Sequence, residues 1–592
     1  MAGRVIRVDG STGAHVAPAS TVVTIESMKM EYAVPAGIAG VVVSVLVTEG
    51  DLVAEGDLLA TVDPAEVHGA VVDEAPAERG PRADLAAVLE RHAIGLDAAR
   101  PDAVARRRRS GQRTARENID DLVDPGSMVE YGPLVIAAQR RRRAVEELIE
   151  RTPGDGLVGG VATVGDRPTA VVSYDYTVLA GTQGLQNHRK KDRLFEVIQR
   201  QRLPVVFFTE GGGGRPGDTD GMGVSGLDCL AFSMWAALSG LVPMVGIASG
   251  RCFAGNAALL GCCDVVIATE GSNIGMGGPA MIEGGGLGTF PPEAVGPLDV
   301  QTANGVVDVR VSDEAEAVAV AKRYLSYFAG PVPTTWTCPD QTLLRSAVPE
   351  DRRAAYDTRG VIAGLADTDS VLELRADFAP GMITALARVE GASLGIVANN
   401  PMHLAGAIDA NGADKASRFL QLCDAHDLPV LFLCDTPGIM VGPDAEATAL
   451  VRHASRLFVT GASLTVPFGT IVLRKGYGLG AQAMAGGSFK SPLFCVAWPT
   501  GEFGGMGLEG AVRLGFRSEL DAIADPEERE AAFGEMVERL YEHGKALNTA
   551  TYFEIDDVID PADSRRWISA TFSAAPQPTP RAGKKRPFVD TW

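Results

Sequence analysis

The chain has 592 residues, 46% of them hydrophobic and 22% charged, which is too long for one core and sets an expectation of about three or four domains. Acidic residues outnumber basic ones by 75 to 54, and the formal charge of -21 excludes the general cationic surface that nucleic-acid phosphates require. Its eight cysteines form no CxxC pair, which excludes a zinc ribbon or a readable disulfide framework and suits reduced, cytoplasmic thiols. No apolar run reaches the roughly 18 residues of a membrane span, and the N-terminus lacks the order of a signal peptide.

Residues 1–65 repeat at an offset of 37: Ala2, Gly3, Val5, Val8, Gly13, Val16, Val22 and Ile25 recur as Ala39, Gly40, Val42, Val45, Gly50, Val53, Leu59 and Val62. Two similar Val-rich halves with Gly-containing turns predict a pseudo-symmetric, all-β domain of about eight short strands. Between the halves, Glu26-Ser27-Met28-Lys29-Met30-Glu31 falls at a hairpin tip, where Lys29 offers its amine between two thioethers. The bland alternative is an ordinary surface lysine, and the twofold setting argues against it.

Residues 66–104, rich in Ala, Asp and Arg, read as a linker with a helical part near Leu85 to Arg91; a flexible chain of that length spans roughly 30 to 35 Å. Two basic runs follow, Arg106 to Arg109 and Arg140 to Arg143, each either a solvated helix face or an anion-binding edge.

A weaker repeat at an offset of 225 covers most of the rest. Leu203-Pro204-Val205-Val206-Phe207-Phe208 matches Leu428-Pro429-Val430-Leu431-Phe432-Leu433, after which Glu210 aligns with Asp435, Gly213 with Gly438 and Gly255 with Gly480. Strand, glycine loop, helix and strand recur in that order, the grammar of α/β units around a largely parallel sheet. The fold class is therefore α/β: two related domains at 105–335 and 350–573, separated by Pro331 to Pro349. The tail, 574–592, with several Pro and Lys, is expected to be poorly ordered.

The Met-Lys-Met hairpin makes residues 1–65 resemble a biotin carboxyl carrier (biotinyl/lipoyl-like) domain; its first strand starts at the chain's own beginning, which implies either a weakened edge or a true start upstream of Met1. The α/β blocks resemble the carboxyltransferase β subunits of acetyl-CoA and propionyl-CoA carboxylases, whose halves each have the crotonase (ClpP/crotonase) fold. That likeness rests on Asp124-Pro125-Gly126-Ser127-Met128-Val129-Glu130-Tyr131, Gly250-Arg251-Cys252-Phe253-Ala254-Gly255, Asp435-Thr436-Pro437-Gly438 and Arg474-Lys475-Gly476-Tyr477-Gly478-Leu479-Gly480. It implies transfer of CO2 from carboxybiotin, on Lys29 flanked by Met28 and Met30, to the α-carbon of an acyl-CoA.

Such chemistry develops negative charge on two oxygens, the thioester enolate and the biotin ureido oxygen, and each needs an oxyanion hole. Backbone N–H groups opening a helix are unpaired and fixed there, and one donor is worth about 2.7 to 4 kcal/mol. By resemblance the enolate hole maps onto Ala254-Gly255 and the biotin hole onto Gly478-Leu479-Gly480. Alanine replaces the family's first glycine at 254, and leucine precedes the glycine at 480. Gln482 falls where the family shapes its acyl pocket, and the biotin nitrogen would serve as base. His403, His426 and His453 accordingly read as core or surface residues, and Cys262-Cys263 as core.

No G-x-x-x-x-G-K-[ST] loop is present, so ATP-dependent carboxylation of biotin would come from a separate biotin carboxylase subunit. The resemblance further implies a biotin protein ligase as partner, a homo-hexamer built as a trimer of dimers, coenzyme A thioesters as substrates, and no metal. The acyl chain and the physiological direction stay open: a decarboxylase or transcarboxylase runs the same half-reaction, and a biotinylated scaffold with an inert core is the third reading.

Overall fold

The structure, a computed structural model, describes residues 2–66, 82–221, 225–332, 336–576, 578 and 581–592. The chain forms two units, Met1–Leu89 and Glu90–Trp592.

In the first unit, short Val-rich segments alternate with glycine turns, and seven strands result among the described residues: β1 (Gly3–Val8), β2 (His15–Val16), β3 (Thr21–Ser27), β4 (Met30–Pro35), β5 (Gly40–Val45), β6 (Leu52–Val53) and β7 (Ala60–Pro64). They make two sheets, β4-β3-β1-β6 and β2-β5-β7. The 37-residue repeat is a register identity. Val5 pairs Ile25 as Val42 pairs Val62, and Gly3 pairs Val53 as Gly40 pairs Val16. Each half thus lends one short strand to the other's sheet. Val5, Val22, Val23, Ile25 and Val53 form the core between them. The same close approach recurs in both halves: a Cβ on Gly3 would lie 2.4 Å from the Glu26 carbonyl oxygen, and one on Gly40 2.1 Å from that of Asp63. The second half's counterpart of β4 would fall at 67–72, outside the described residues.

Residues 67–81 of the expected linker also lie outside the described residues. Beyond them, helix Ala83–Ala93 covers the stretch near Leu85 to Arg91. The linker nevertheless stops short of residue 104. Arg100 donates to Asp175 (2.9 Å) and to Thr177 (2.9 Å), so the chain from Glu90 on is part of the second unit.

Among the described residues that unit contains two large sheets of one design and a separate two-stranded sheet, β13-β15. The first half holds β8 (Val129–Glu130), β9 (Leu157–Val164), β10 (Arg167–Tyr174), β11 (Val205–Phe208), β12 (Met244–Ala248), β13 (Arg251–Phe253), β14 (Val265–Thr269), β15 (Asn273–Gly275) and β16 (Val309–Val311). The second holds β17 (Leu372–Leu374), β18 (Met382–Val389), β19 (Ala392–Asn399), β20 (Val430–Thr436), β21 (Phe468–Tyr477), β22 (Cys495–Ala497), β23 (Glu502–Gly504) and β24 (Asp557–Val558). The sheet orders are β16-β14-β12-β11-β10-β9-β8 and β17-β18-β19-β20-β21-β22-β24. An antiparallel hairpin, β9-β10 or β18-β19, opens each half, and the strands that follow pair in parallel.

One apolar core runs through both halves, from Val171, Val206 and Val245 to Val397, Phe432 and Val472. Helix Ala410–Ala425 crosses it, buried at 15 of 16 positions. A helix buried on every face must satisfy its polar residues internally. Lys415 donates to the carbonyls of Arg375 and Phe378 (2.7 and 2.8 Å), and Arg418 to that of Asp264 (2.7 Å).

From Arg581 on, the tail meets this same helix, so this part of it is not the poorly ordered segment expected. Arg586 pairs with Asp424 at 2.6 Å and Arg581 with Asp427 at 2.8 Å. The amide of Asp590 donates to Gln421 (3.0 Å), and that of Val589 to Ser239 of the first half (3.0 Å). The sequence reading missed this because Pro and Lys signal disorder only when nothing faces them, and here the buried carboxylate of Asp424 and the half-buried one of Asp427 do. Arg586→Ala is expected to cost about 1.5 to 3 kcal/mol, read as a lower midpoint in urea unfolding of the full chain.

Candidate functional site

In the carrier unit, β3 and β4 are joined by Met28 and Lys29 alone, with Ser27 opposite Met30 as the last pair. Both turn residues are left-handed, at φ 52° and 66°, the two-residue hairpin geometry that asparagine and glycine usually occupy. Met28 is 93% exposed and Met30 62%, and Lys29 stands exposed between them. A tight hairpin thereby holds one primary amine in solvent with apolar contact on either side.

In the first half of the larger unit, β12 is buried along its length between β11 and β14. The chain leaves it through Ser249-Gly250, forms β13, and turns at Ala254 into helix Gly255–Gly261. Ala254 has φ 52° and ψ -123°, a region that side chains other than glycine disfavour. Its amide donates to the Gly275 carbonyl (3.0 Å); the amides after it open the helix and have no partner within it. Gly213 walls the other side. A Cβ there would meet the Ala254 Cβ at 2.7 Å and the Gly255 nitrogen at 3.6 Å. Gly255 itself has Gln183 and Phe232 beside it, with atoms 3.0 and 3.1 Å from where its Cβ would stand.

In the second half, β21 runs unbroken to Tyr477, and Gly478 opens helix Gly478–Ala483 with φ 57°. Strand pairing fixes the correspondence between the halves, since Phe253 pairs Gly275 as Tyr477 pairs Gly504. Ala254 therefore matches Gly478, Gly255 matches Leu479, and Asn256 matches Gly480. This corrects the alignment of Gly255 with Gly480. The crossover from β20 to β21 is one residue shorter than that from β11 to β12: Val205 pairs Met244, whereas Val430 pairs Phe468. The left-handed position thus falls on Gly478, and Leu479, 61% exposed, has no positive φ to sustain. Gly480 packs directly on Gly438, whose Cα a Cβ would approach to 2.7 Å.

Behind each turn lies a buried ion pair. Arg107 Nη1 donates to Glu210 Oε1 at 2.9 Å, and Arg474 Nε to Asp435 Oδ2 at 3.1 Å, with Tyr356 adding a bond of 2.8 Å. Burial pushes the Glu210 carboxyl up to about 7 and raises that of Asp435. Arg107 thus fits neither reading of its basic run: it is 7% exposed and holds the segment at the end of β11. The repeat had aligned Glu210 with Asp435; their arginines lie 103 and 39 residues away along the chain, out of reach of any local pattern. Asn256, which bonds Gly213 N (3.1 Å) and the carbonyls of Gly181 and Thr209 (3.3 and 3.2 Å), was missed likewise.

Gln482 is exposed and lines a cavity of about 870 Å³ with Gly478, Phe489, Lys490, Phe503 and Tyr552. His426 pairs with Asp264 (3.2 Å) and His453 with Asp414 (2.7 Å), both away from the turns in sequence. Cys263 is buried, whereas Cys262 is only partly so. Among the described residues no group of His, Cys, Asp and Glu is placed to hold a metal ion, and no helix is long and apolar enough to cross a membrane.

Free amides at matched turns suit a reaction that places negative charge on two oxygens in succession, and a lysine hairpin on a separate unit suits a tethered carrier. Together they define a biotin-dependent carboxyltransferase. Residues 106–586 match the carboxyl transferase domain and residues 1–62 the biotin-requiring enzyme domain, so the chain belongs to the carboxyl transferase family and carries its biotin domain at the N-terminal end.

Among curated relatives, the methylmalonyl-CoA carboxyltransferase 12S subunit of Propionibacterium freudenreichii is 33% identical over 486 residues, 79% of this chain and 89% of that one. The biotin-dependent long chain acyl-coenzyme A carboxylase beta4 subunit of Mycobacterium tuberculosis is 32% identical over 513 residues, 81% and 92% of the two chains. Among solved structures, a single-chain, multi-domain long-chain acyl-CoA carboxylase superposes with a TM-score of 0.80 at 57% identity over 96% of this chain, which spans 55% of that enzyme. The transcarboxylase 12S structure, a hexamer with methylmalonyl-coenzyme A bound, gives 0.74 at 30% identity over 87% of this chain and all of its own. The activity is that of an acyl-CoA carboxylase carboxyltransferase.

Two substitutions test the turns. Ala254→Gly takes a Cβ out of a disfavoured backbone region and is expected to add about 1 kcal/mol of stability with turnover retained, read by urea unfolding and assay of one preparation. Gly480→Ala drives a methyl into the Gly438 backbone and should lower turnover at least about 10-fold by displacing the amides that open the helix, while the far-UV spectrum stays native.

Proposed function

We propose that Lys29 is the biotin attachment site and that the turns at Ala254-Gly255 and Gly478-Leu479-Gly480 hold the enolate and biotin oxygens respectively. The observation that carries this reading is the pair of matched turns, each a left-handed residue followed by helix-opening amides, in a chain whose other unit displays a lysine hairpin. The exposed amine fits covalent attachment: its hairpin turns in two residues and both neighbours are exposed methionines. Biotin bound there supplies the carboxyl group. The larger unit's residues then fix the thioester, with amides aimed at the oxygen that gains charge, and Gly213 and Gly438 let each glycine loop close on its turn.

The acyl-CoA is proposed to be long-chain, in keeping with the 57% identity to a long-chain acyl-CoA carboxylase, with Gln482 helping to shape the cavity beside the second turn. Biotin carboxylation is assigned to a separate biotin carboxylase subunit, and attachment to a biotin protein ligase. A hexamer like that of transcarboxylase 12S, a cytoplasmic setting, and domain limits at 1–65, 90–335 and 350–573 complete the reading. Likeness to the methylmalonyl-CoA carboxyltransferase subunit favours a transcarboxylase as the second reading.

The test is the reverse half-reaction. Purified protein with free biotin is offered malonyl-CoA, methylmalonyl-CoA and longer α-carboxyacyl-CoA thioesters, and the decarboxylated product is followed. Preferred turnover of the longer thioesters is expected; preference for methylmalonyl-CoA would favour the transcarboxylase, and no turnover from folded protein the inert scaffold. Lys29→Ala should abolish retention on streptavidin while leaving turnover with free biotin unchanged.

A further inference from the structure

Lys191 lies in helix Leu185–Gln201 with no exposed surface. No carboxylate pairs with it among the described residues. Its ammonium donates instead to the Tyr174 hydroxyl (2.9 Å) and to Gln183 Oε1 (2.7 Å). An unpaired buried cation is costly, so its surroundings show what it does.

An ammonium only donates, and this settles the orientation of every amide downstream. Gln183 must turn its oxygen to Lys191, and its Nε2 therefore donates to Asn256 Oδ1 at 3.0 Å. That oxygen also accepts from Gly213 N (3.1 Å), which leaves Asn256 Nδ2 to bind the Gly181 and Thr209 carbonyls (3.3 and 3.2 Å). Gln183 also ties its own amide to the Gly213 carbonyl (2.8 Å). Both walls of the first turn, Gly213 on one side and the start of helix Gly255–Gly261 on the other, are thus fixed through one polar chain headed by a positive charge.

The other half of the molecule shows that the fold does not require this chain. Ile408 replaces Gln183 and makes the same backbone bond, to the Gly438 carbonyl at 3.0 Å. Ala416 stands at the place of Lys191, Asn399 at that of Tyr174, and Gly480 at that of Asn256. Ile408 and Ala416 are as buried as the residues they replace, and that turn closes by direct glycine-on-glycine contact.

We propose that Lys191 is a positioning residue for the enolate-side turn, acting through Gln183 and Asn256 to orient and polarise the groups that wall it. The inference rests on the assignment of the Ala254-Gly255 turn to the enolate. A neutral amine can still donate to Gln183 but carries no charge to polarise the chain, so pH enters. Burial pushes the Lys191 amine down to about 7. The groups facing it are Tyr174, whose hydroxyl burial raises far above its usual range, the carboxylates of Asp155 and Asp192, the Cys229 thiol, and His188, whose ring burial pushes down to about 4. The charge is present below that range and lost above it, so turnover should fall as pH rises.

The test compares wild type, Lys191→Met and Gln183→Met in decarboxylation of the preferred α-carboxyacyl-CoA with free biotin, between about pH 6 and 9. Wild type should show an alkaline decline in kcat. Lys191→Met should lose about 30-fold in kcat with KM within about 3-fold, and its alkaline decline should vanish. A folded Lys191→Met protein with wild-type kcat, or with the decline intact, overturns the proposal. Gln183→Met breaks the chain while keeping the lysine, and decides by the same loss of kcat should Lys191→Met not fold. A wild type without turnover would overturn the functional reading and this inference with it.

Discussion

Two parallel strand pairs, β11 with β12 and β20 with β21, carry the rest of the catalytic unit. Parallel neighbours send their following loops out of the same edge of the sheet, so a glycine loop after one strand meets the helix turn after the other. Gly213 against Ala254 and Gly438 against Gly480 are that meeting made twice. Everything else supports it: the buried carboxylates of Glu210 and Asp435, the arginines that hold them, and the core that keeps the strands in register.

Duplication makes the two sites comparable within one molecule. Both turns use a left-handed residue at one position, alanine in one half and glycine in the other. Behind them the halves diverge. The first builds a charged, amide-linked network from Lys191 to Gly213, and the second closes with small and apolar residues. A scaffold that folds equally well around Ala416 and Ile408 locates the reason for the polar network in the chemistry at the turn rather than in stability.

Sequence reasoning went far where the signal is periodic and local. The 37-residue repeat became a strand-by-strand register identity, and the Met-Lys-Met segment became the tip of a two-residue hairpin. The 225-residue repeat placed both α/β halves. It failed by one residue at the second turn, because the loss lies in a crossover whose length no motif reports. Arg107 in its basic run and the tail were misjudged for a related reason: their partners, Glu210, Asp424 and Asp427, are distant in sequence, and a charge reads as solvated until its counter-charge is in place.

By itself the sequence determined the division into a β carrier and two α/β halves, the lysine hairpin and the glycine turns, since these depend on alternation, spacing and local backbone freedom. Only the tertiary structure decided which backbone amide stands opposite which glycine, which carboxylate holds which arginine, and that Lys191 heads a chain of amides behind one turn and not the other. Those relations join residues tens to hundreds of positions apart, and their energies arise from burial, which exists only once the chain has folded.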